Sequence, residues 1–338
     1  MRLFVGLVML ALLGACQGNQ TPSQSVARQL AVPADDYYGV AWLVDGTQIV
    51  GRNVGESHDS LLGVIEESGA AIVDLAIRPD PNCAREFALS PQALQDGRLS
   101  YVHVCQHAVN HQPPDDEELW AVDIKSGKVE RLMALGPLGT SQGVSYAVSP
   151  DRSEVFVGVG LICGYLVVSS RDGGADRLDV VIRTDVASFS LADPIEPGGD
   201  CEGTGWATQP TLSRDGSMLA FLASPAAVGR SGRARLEAPA NLYLLDLHTN
   251  QVTSLLTDLT DLGQLAWSPA GDRLALAGRV RGDAATWAVS IDGATKRLAP
   301  PARRLAWSPD GTHILSAFLT PDQSVPFMST LGIIDAPD

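Results

Sequence analysis

The chain is 338 residues long, 45% hydrophobic and 6% aromatic, with 39 acidic against 24 basic residues and a formal net charge of −15. That balance disfavours nucleic-acid binding, because a phosphate backbone is met by clustered lysine and arginine, and no such stripe breaks the acidic background. The apolar content is ample for a packed core, and one all-β domain of this length is allowed, so length alone does not demand two domains.

The N-terminus carries a single charge, Arg2, then an apolar stretch from Leu3 to Leu13 that ends in Gly14 and Ala15 before Cys16. This is a secretory signal layout, and the apolar run is far shorter than the ~20 residues a membrane-spanning helix needs. The junction Leu13-Gly14-Ala15-Cys16 resembles the bacterial lipobox, which implies removal of residues 1–15 and acylation of Cys16. Losing Arg2 with the leader takes the mature net charge from −15 to −16. Residues 16–25, rich in Gln, Ser and Thr, are expected to tether the lipidated end to a folded body spanning 26–338.

One phrase then recurs along that body. In chain order it appears as Val40-Ala-Trp-Leu-Val-Asp-Gly-Thr-Gln-Ile49, as Phe87-Ala-Leu-Ser-Pro91 with a longer turn to Asp96-Gly97-Arg98-Leu99, and as Tyr146-Ala-Val-Ser-Pro-Asp-Arg-Ser-Glu-Val155. It returns as Thr211-Leu-Ser-Arg-Asp-Gly-Ser-Met-Leu-Ala220, Leu265-Ala-Trp-Ser-Pro-Ala-Gly-Asp-Arg-Leu-Ala275 and Leu305-Ala-Trp-Ser-Pro-Asp-Gly-Thr-His-Ile-Leu315. An apolar strand arrives, Pro presets φ, Asp bonds the backbone two residues on, and Gly takes a left-handed position before the next strand leaves. Each copy therefore predicts a β-hairpin, and two further strand-like runs follow most copies, such as Asn241–Leu247 with Gln251–Leu256. Four short strands per repeat predict a propeller blade, and six copies predict an all-β, six-bladed β-propeller preceded by a lipoprotein signal peptide and short tether. The last copy leaves room for a third strand near Ser329–Ile334 but none for a fourth, so Val26–Val32 is expected to supply it and close the ring.

The Ser-Pro-Asp-Gly hairpins resemble those of the TolB-type, WD40-like bacterial propeller family over nearly the whole mature chain. The resemblance implies architecture and says little of function, because these motif residues build turns.

Four cysteines besides Cys16 remain in a chain read as exported: Cys83, Cys105, Cys163 and Cys201. Antiparallel order puts the hairpin turns on one face of the ring and the remaining connections on the other, and all four cysteines map to this second, insertion face. Pairing Cys83 with Cys105 and Cys163 with Cys201 is the most local of three connectivities. The same face is expected to carry the long connections His107–Glu117, Val186–Thr208, Ser224–Ala240, Arg279–Ala284 and Thr320–Pro326. Loop length nominates it as the binding face, and Arg230, Arg233 and Arg235 form one local cationic patch as binding candidates.

No catalytic residue, metal site or cofactor is assigned. His103, Cys105, His107 and His111 lie near several acidic residues, but their spacing over a strand and a loop does not define a ligand set. Gly139-Thr-Ser-Gln-Gly143 fits the G-x-S-x-G pattern in a loop leading to a strand, whereas a nucleophile elbow leads to a helix. Trp42, Trp267 and Trp307 recur at one repeat position and are expected in the core. The reading favoured is a membrane-anchored binding scaffold, not an enzyme, whose partners are the membrane through the lipid and a protein or other envelope component. The alternatives are a small-ligand or glycan receptor using the central funnel and a propeller enzyme of lyase or quinoprotein type.

Overall fold

The computed structural model describes residues 28–54, 59–75, 83, 85–106, 116–134, 145–158, 165–170, 178–183, 191–192, 206–224, 239–320 and 328–337. All regular structure among them is β. A short β1 (Arg28–Gln29) precedes β2 (Tyr37–Trp42), β3 (Gln48–Val54), β4 (Asp59–Ile65) and β5 (Ile72–Asp74). Then come β6 (Arg85–Ala93), β7 (Leu99–Gln106), β8 (Asp116–Asp123) and β9 (Lys128–Ala134). The next run is β10 (Ser145–Val148), β11 (Glu154–Gly158), β12 (Tyr165–Ser170), β13 (Leu178–Arg183) and β14 (Leu191–Ala192). It is followed by β15 (Trp206–Leu212), β16 (Met218–Ser224), β17 (Ala240–Asp246) and β18 (Gln251–Leu259). The chain ends with β19 (Leu265–Trp267), β20 (Arg273–Val280), β21 (Asp283–Ser290), β22 (Thr295–Ala299), β23 (Ala302–Trp307), β24 (His313–Leu319) and β25 (Ser329–Asp335).

Hydrogen bonding divides these strands into five sheets, not the six separate ones expected. The reason is local: one parallel pair, Ser60 with Phe87, joins β4 to β6 and fuses two antiparallel runs into a sheet of eight strands. The other four sheets are β10 to β14, β15 to β18, β19 to β22, and β23-β24-β25-β1. The last of these is closed by the N-terminal segment, as the sequence predicts. β1 pairs antiparallel with β25, Arg28 opposite Ile333 and Gln29 opposite Gly332, and the Leu30 amide donates to the Leu331 carbonyl at 2.9 Å.

The hairpin phrase works through its Ser and Asp side chains. In the last copy the Ser308 hydroxyl donates to Asp310 at 2.6 Å and accepts the His313 amide at 2.9 Å, while Asp310 accepts the Thr312 amide at 3.0 Å. Ser213 with Asp215 and Ser149 with Asp151 repeat the pattern. Where the copy at Leu265 has Ala270 in place of Asp, the Ser268 hydroxyl reaches Asp272 instead, at 2.8 Å. Hydroxyl and amide donors hold the Asp151 and Asp310 carboxyls down at about 2, so they stay ionised well into acid.

Two hairpin glycines separate conformation from contact. Gly216 (φ 74°) and Gly271 (φ 72°) share the left-handed geometry, but a Cβ on Gly216 would come within 2.7 Å of Pro150 in the neighbouring hairpin, whereas one on Gly271 would meet nothing. Gly271→Ala is expected to cost about 1 kcal/mol and Gly216→Ala about 2 kcal/mol in urea unfolding. Equal losses would show that the hairpins do not touch.

Six buried clusters lie between successive strand runs around the molecule. The cluster at the closure joins Leu30 and Val32 to Tyr37, Val50, Leu315 and Ile333, tying both ends of the chain into one core. Two expectations about connections change. Ser90-Pro91 is not a hairpin turn: it sits inside β6 beside a bulge, and the turn is formed by Leu94–Arg98. Arg279–Ala284 is not a long insertion, since β20 and β21 pair up to Val280 and Asp283 across the tight turn Arg281-Gly282.

Candidate functional site

The first strand of each run, β2, β6, β10, β15, β19 and β23, contributes to the wall of one cavity of about 490 Å³. Its lining runs from Gln264 and Arg304 at the strand starts to hairpin residues such as Val44, Gln95, Arg214 and Pro309. The cavity therefore lies on the ring axis and reaches the hairpin side.

Equivalent positions on these strands form a tier: Gly39, Ser90, Ser145, Gln209, Gln264 and Arg304. Gly39 is small because the Pro91 ring from the next strand occupies the space a Cβ would need. Ser90 (φ 52°) and Gln209 (φ 55°) both hold left-handed backbone beside a proline at bulges in β6 and β15. Such strain costs roughly 1–3 kcal/mol per residue and accumulates at binding sites. The Gln209 amide donates to Ser145 Oγ at 2.9 Å, Gln92 Nε2 donates to the Tyr146 carbonyl, and Gln264 Oε1 accepts the Leu305 amide at 3.0 Å, so the amides also lock neighbouring strands together.

The recurring tryptophans are core residues and wall residues at once. Trp267 and Trp307 are buried, and their Nε1 groups reach the preceding innermost strand, bonding the Thr211 carbonyl at 2.9 Å and the Ala266 carbonyl at 3.1 Å. Trp42, at the closure, bonds Gly46 of its own hairpin instead, at 3.0 Å.

No protein-family model and no curated protein sequence matches the chain. Among solved structures, a putative TolB from Agrobacterium tumefaciens superposes with a TM-score of 0.50 at 12% identity, over 90% of this chain and 91% of that one. The fold is a TolB-like β-propeller. TolB from Acinetobacter baumannii gives 0.49 at 14% identity over 82% of this chain, which spans 61% of that protein's length. An oligogalacturonate lyase in complex with manganese gives 0.49 at 13% identity over 92% of this chain and 90% of the other. At these identities the likeness is one of fold alone.

Of the cysteines and histidines singled out by sequence, this TolB-like propeller brings Cys83, Cys105 and His103 together. Cys83 and Cys105 form a disulfide with a Cα–Cα distance of 5.2 Å, linking the segment before β6 to the end of β7. His103 lies beside it, buried, with Nε2 at 3.2 Å from Glu86 and its ring 4.5 Å from that of Trp120. Cys83, Glu86 and His103 are close enough to share a metal ion, but the disulfide commits the Cys83 sulfur. Cys16, Cys163, Cys201, Arg230, Arg233, Arg235 and Gly139–Gly143 lie outside the described residues.

The residues missed by sequence reasoning are the axial ones, above all Arg304, with Arg214, Gln92, Gln209 and Gln264. A signal was available for two of them: Gln264 and Arg304 stand immediately before the Leu-Ala-Trp phrase, where a strand residue turns toward the axis. In β6 and β15 the bulges hid the equivalent positions.

Proposed function

We propose that the protein is an exported, lipid-anchored, six-bladed propeller that serves the cell envelope as a binding protein, with the axial cavity as its binding site. The six-blade count treats the eight-stranded sheet as two blades, since a single parallel pair joins its halves while each half is continuously antiparallel. The observation that carries the reading is the cavity itself. Its volume of about 490 Å³ falls within the ~300–1,000 Å³ of small-ligand pockets, and its wall mixes indoles and prolines with a few polar groups. Amides, hydroxyls and arginines suit the holding of a ligand; general acid–base chemistry calls for titratable groups near neutrality, which these side chains are not. Export and anchoring rest on the signal layout and on Cys16, and a disulfide at Cys83–Cys105 fits an oxidising compartment.

The test plugs the cavity from its exposed rim. Native mass spectrometry of the lipoprotein purified from its own envelope should show a bound small molecule that the double variant Val44→Trp, Gln95→Trp loses while its circular dichroism stays unchanged. The same species retained by both proteins, or none bound to the wild type, would contradict the reading.

A further inference from the structure

We propose that the axial cavity selects small organic anions and that Arg304 receives the ligand's carboxylate, an assignment that rests on the axial-cavity reading above. The chain carries a net charge of −15, yet among the described residues the only charged ones lining the cavity are Arg214 and Arg304. Arg214 is exposed on its hairpin at the rim, and Arg304 is half-buried near the start of the innermost strand β23. A cationic funnel in an acidic protein concentrates anions at its mouth.

Arg304 is the decisive residue because its charge is unanswered. Its Nε is buried and has no hydrogen-bond partner, and among the described residues it makes no ion pair. The carboxylate acting on it, Asp36, is already paired with Arg303 at 3.2 Å and accepts Asn53 Nδ2 at 2.5 Å. Arg304 itself is half-buried and lines the cavity. Burial, then the neighbouring Arg303 charge, pushes its pKa down to about 10, which leaves it a cation at neutral pH. A buried Nε left without a partner costs stability, so a purely structural role is a poor account of it.

The repeat gives an internal control. At the same tier the other innermost strands use Gly39, Ser90, Ser145, Gln209 and Gln264, all neutral, so building the strand does not require a guanidinium. What a guanidinium adds is a planar fork of donors that matches a carboxylate in two parallel bonds. Elsewhere in the same wall Gln209 offers a side-chain amide, and Trp267 and Trp307 offer apolar surface, which suits a carboxylate borne on a compact, partly apolar body.

The probes are acetate, its neutral isostere acetamide and inorganic phosphate, added to the purified lipoprotein in detergent at constant ionic strength, with calorimetric titration and thermal unfolding as readouts. Acetate is expected to bind saturably and raise the unfolding temperature, acetamide to do neither, and phosphate to bind more weakly than acetate. Arg304→Gln should weaken acetate binding by at least ~30-fold, because it removes one partner of a buried charge pair. It should also unfold at a higher temperature than the wild type without acetate, the opposite of what loss of a structural arginine would give. Arg304→Lys, which keeps the charge and loses the fork, should fall between the two. Acetate binding unchanged in Arg304→Gln, or an Arg304→Gln protein less stable than the wild type, overturns the role of Arg304. Equal binding of acetate and acetamide removes the anion preference while leaving the cavity a binding site. Phosphate binding tighter than acetate overturns the carboxylate assignment. Acetate binding that persists in the Val44→Trp, Gln95→Trp variant would show that the cavity reading itself has failed.

Discussion

Replacing Phe221 by alanine is expected to destabilise the protein by about 4 kcal/mol, the largest effect anticipated for a single side chain. Phe221 is wholly buried in β16, between Ala147 and Phe156 of one sheet and Leu219, Ala223 and Leu245 of its own. Its ring stacks on Tyr243 with centroids 5.7 Å apart. A propeller has no central core: each sheet is held to the next by one such cluster, so a cavity opened here loosens a joint of the ring. The two sheets cannot easily collapse into the space, because their innermost strands β10 and β15 are pinned at the axis, where Ser145 Oγ accepts the Gln209 amide and bonds Thr208 Oγ1. Equilibrium urea unfolding should show the loss as a lower midpoint with little change in slope. A change below about 1 kcal/mol would mean that Phe221 does not join the two sheets.

Removing the disulfide should cost nearly as much. Cys83 and Cys105 are separated by 22 positions, and a cross-link closing a loop of that size restricts the unfolded chain by an amount corresponding to about 3 kcal/mol. The bond also ties the segment before β6 to the end of β7, next to the strand whose single parallel pair with β4 holds the eight-stranded sheet together. The double variant Cys83→Ser, Cys105→Ala keeps the buried position apolar, so its loss of stability reports the cross-link alone. Unchanged urea midpoints with and without reductant in the wild type would contradict the pairing.

The hairpins were legible in the sequence because Ser, Asp and Gly have fixed geometric duties in them, and five of the predicted copies became strand–turn–strand units in place. Ring closure was legible for a similar reason: the last repeat lacked a strand, and Val26–Val32 was the only spare one. The β6 copy misled because its Ser90-Pro91 imitates the hairpin dipeptide, whereas the bulge moves the turn four residues on, to Leu94–Arg98. Nor could the count of separate sheets be read, since one parallel pair between Ser60 and Phe87 depends on how two runs approach in space. The axial site was hidden for a deeper reason. Each innermost strand supplies only a few of its residues, and Gly39, Gln209 and Arg304 share a place in the repeat but no side-chain chemistry; they face one cavity only when the ring closes.

That closure, and the claim that the axis binds, can be tested through the six tryptophans. Trp42, Trp267 and Trp307 line the cavity, whereas Trp120 lies by His103 in the outer strand β8 and Trp287 donates to the Gly278 carbonyl from β21. In a proton–nitrogen correlation spectrum of the assigned indole groups, adding a small-molecule extract of the producing cells' envelope should move the Trp42, Trp267 and Trp307 signals and leave Trp120 and Trp287 in place. Movement of Trp120 or Trp287 with the three axial indoles silent would contradict the account.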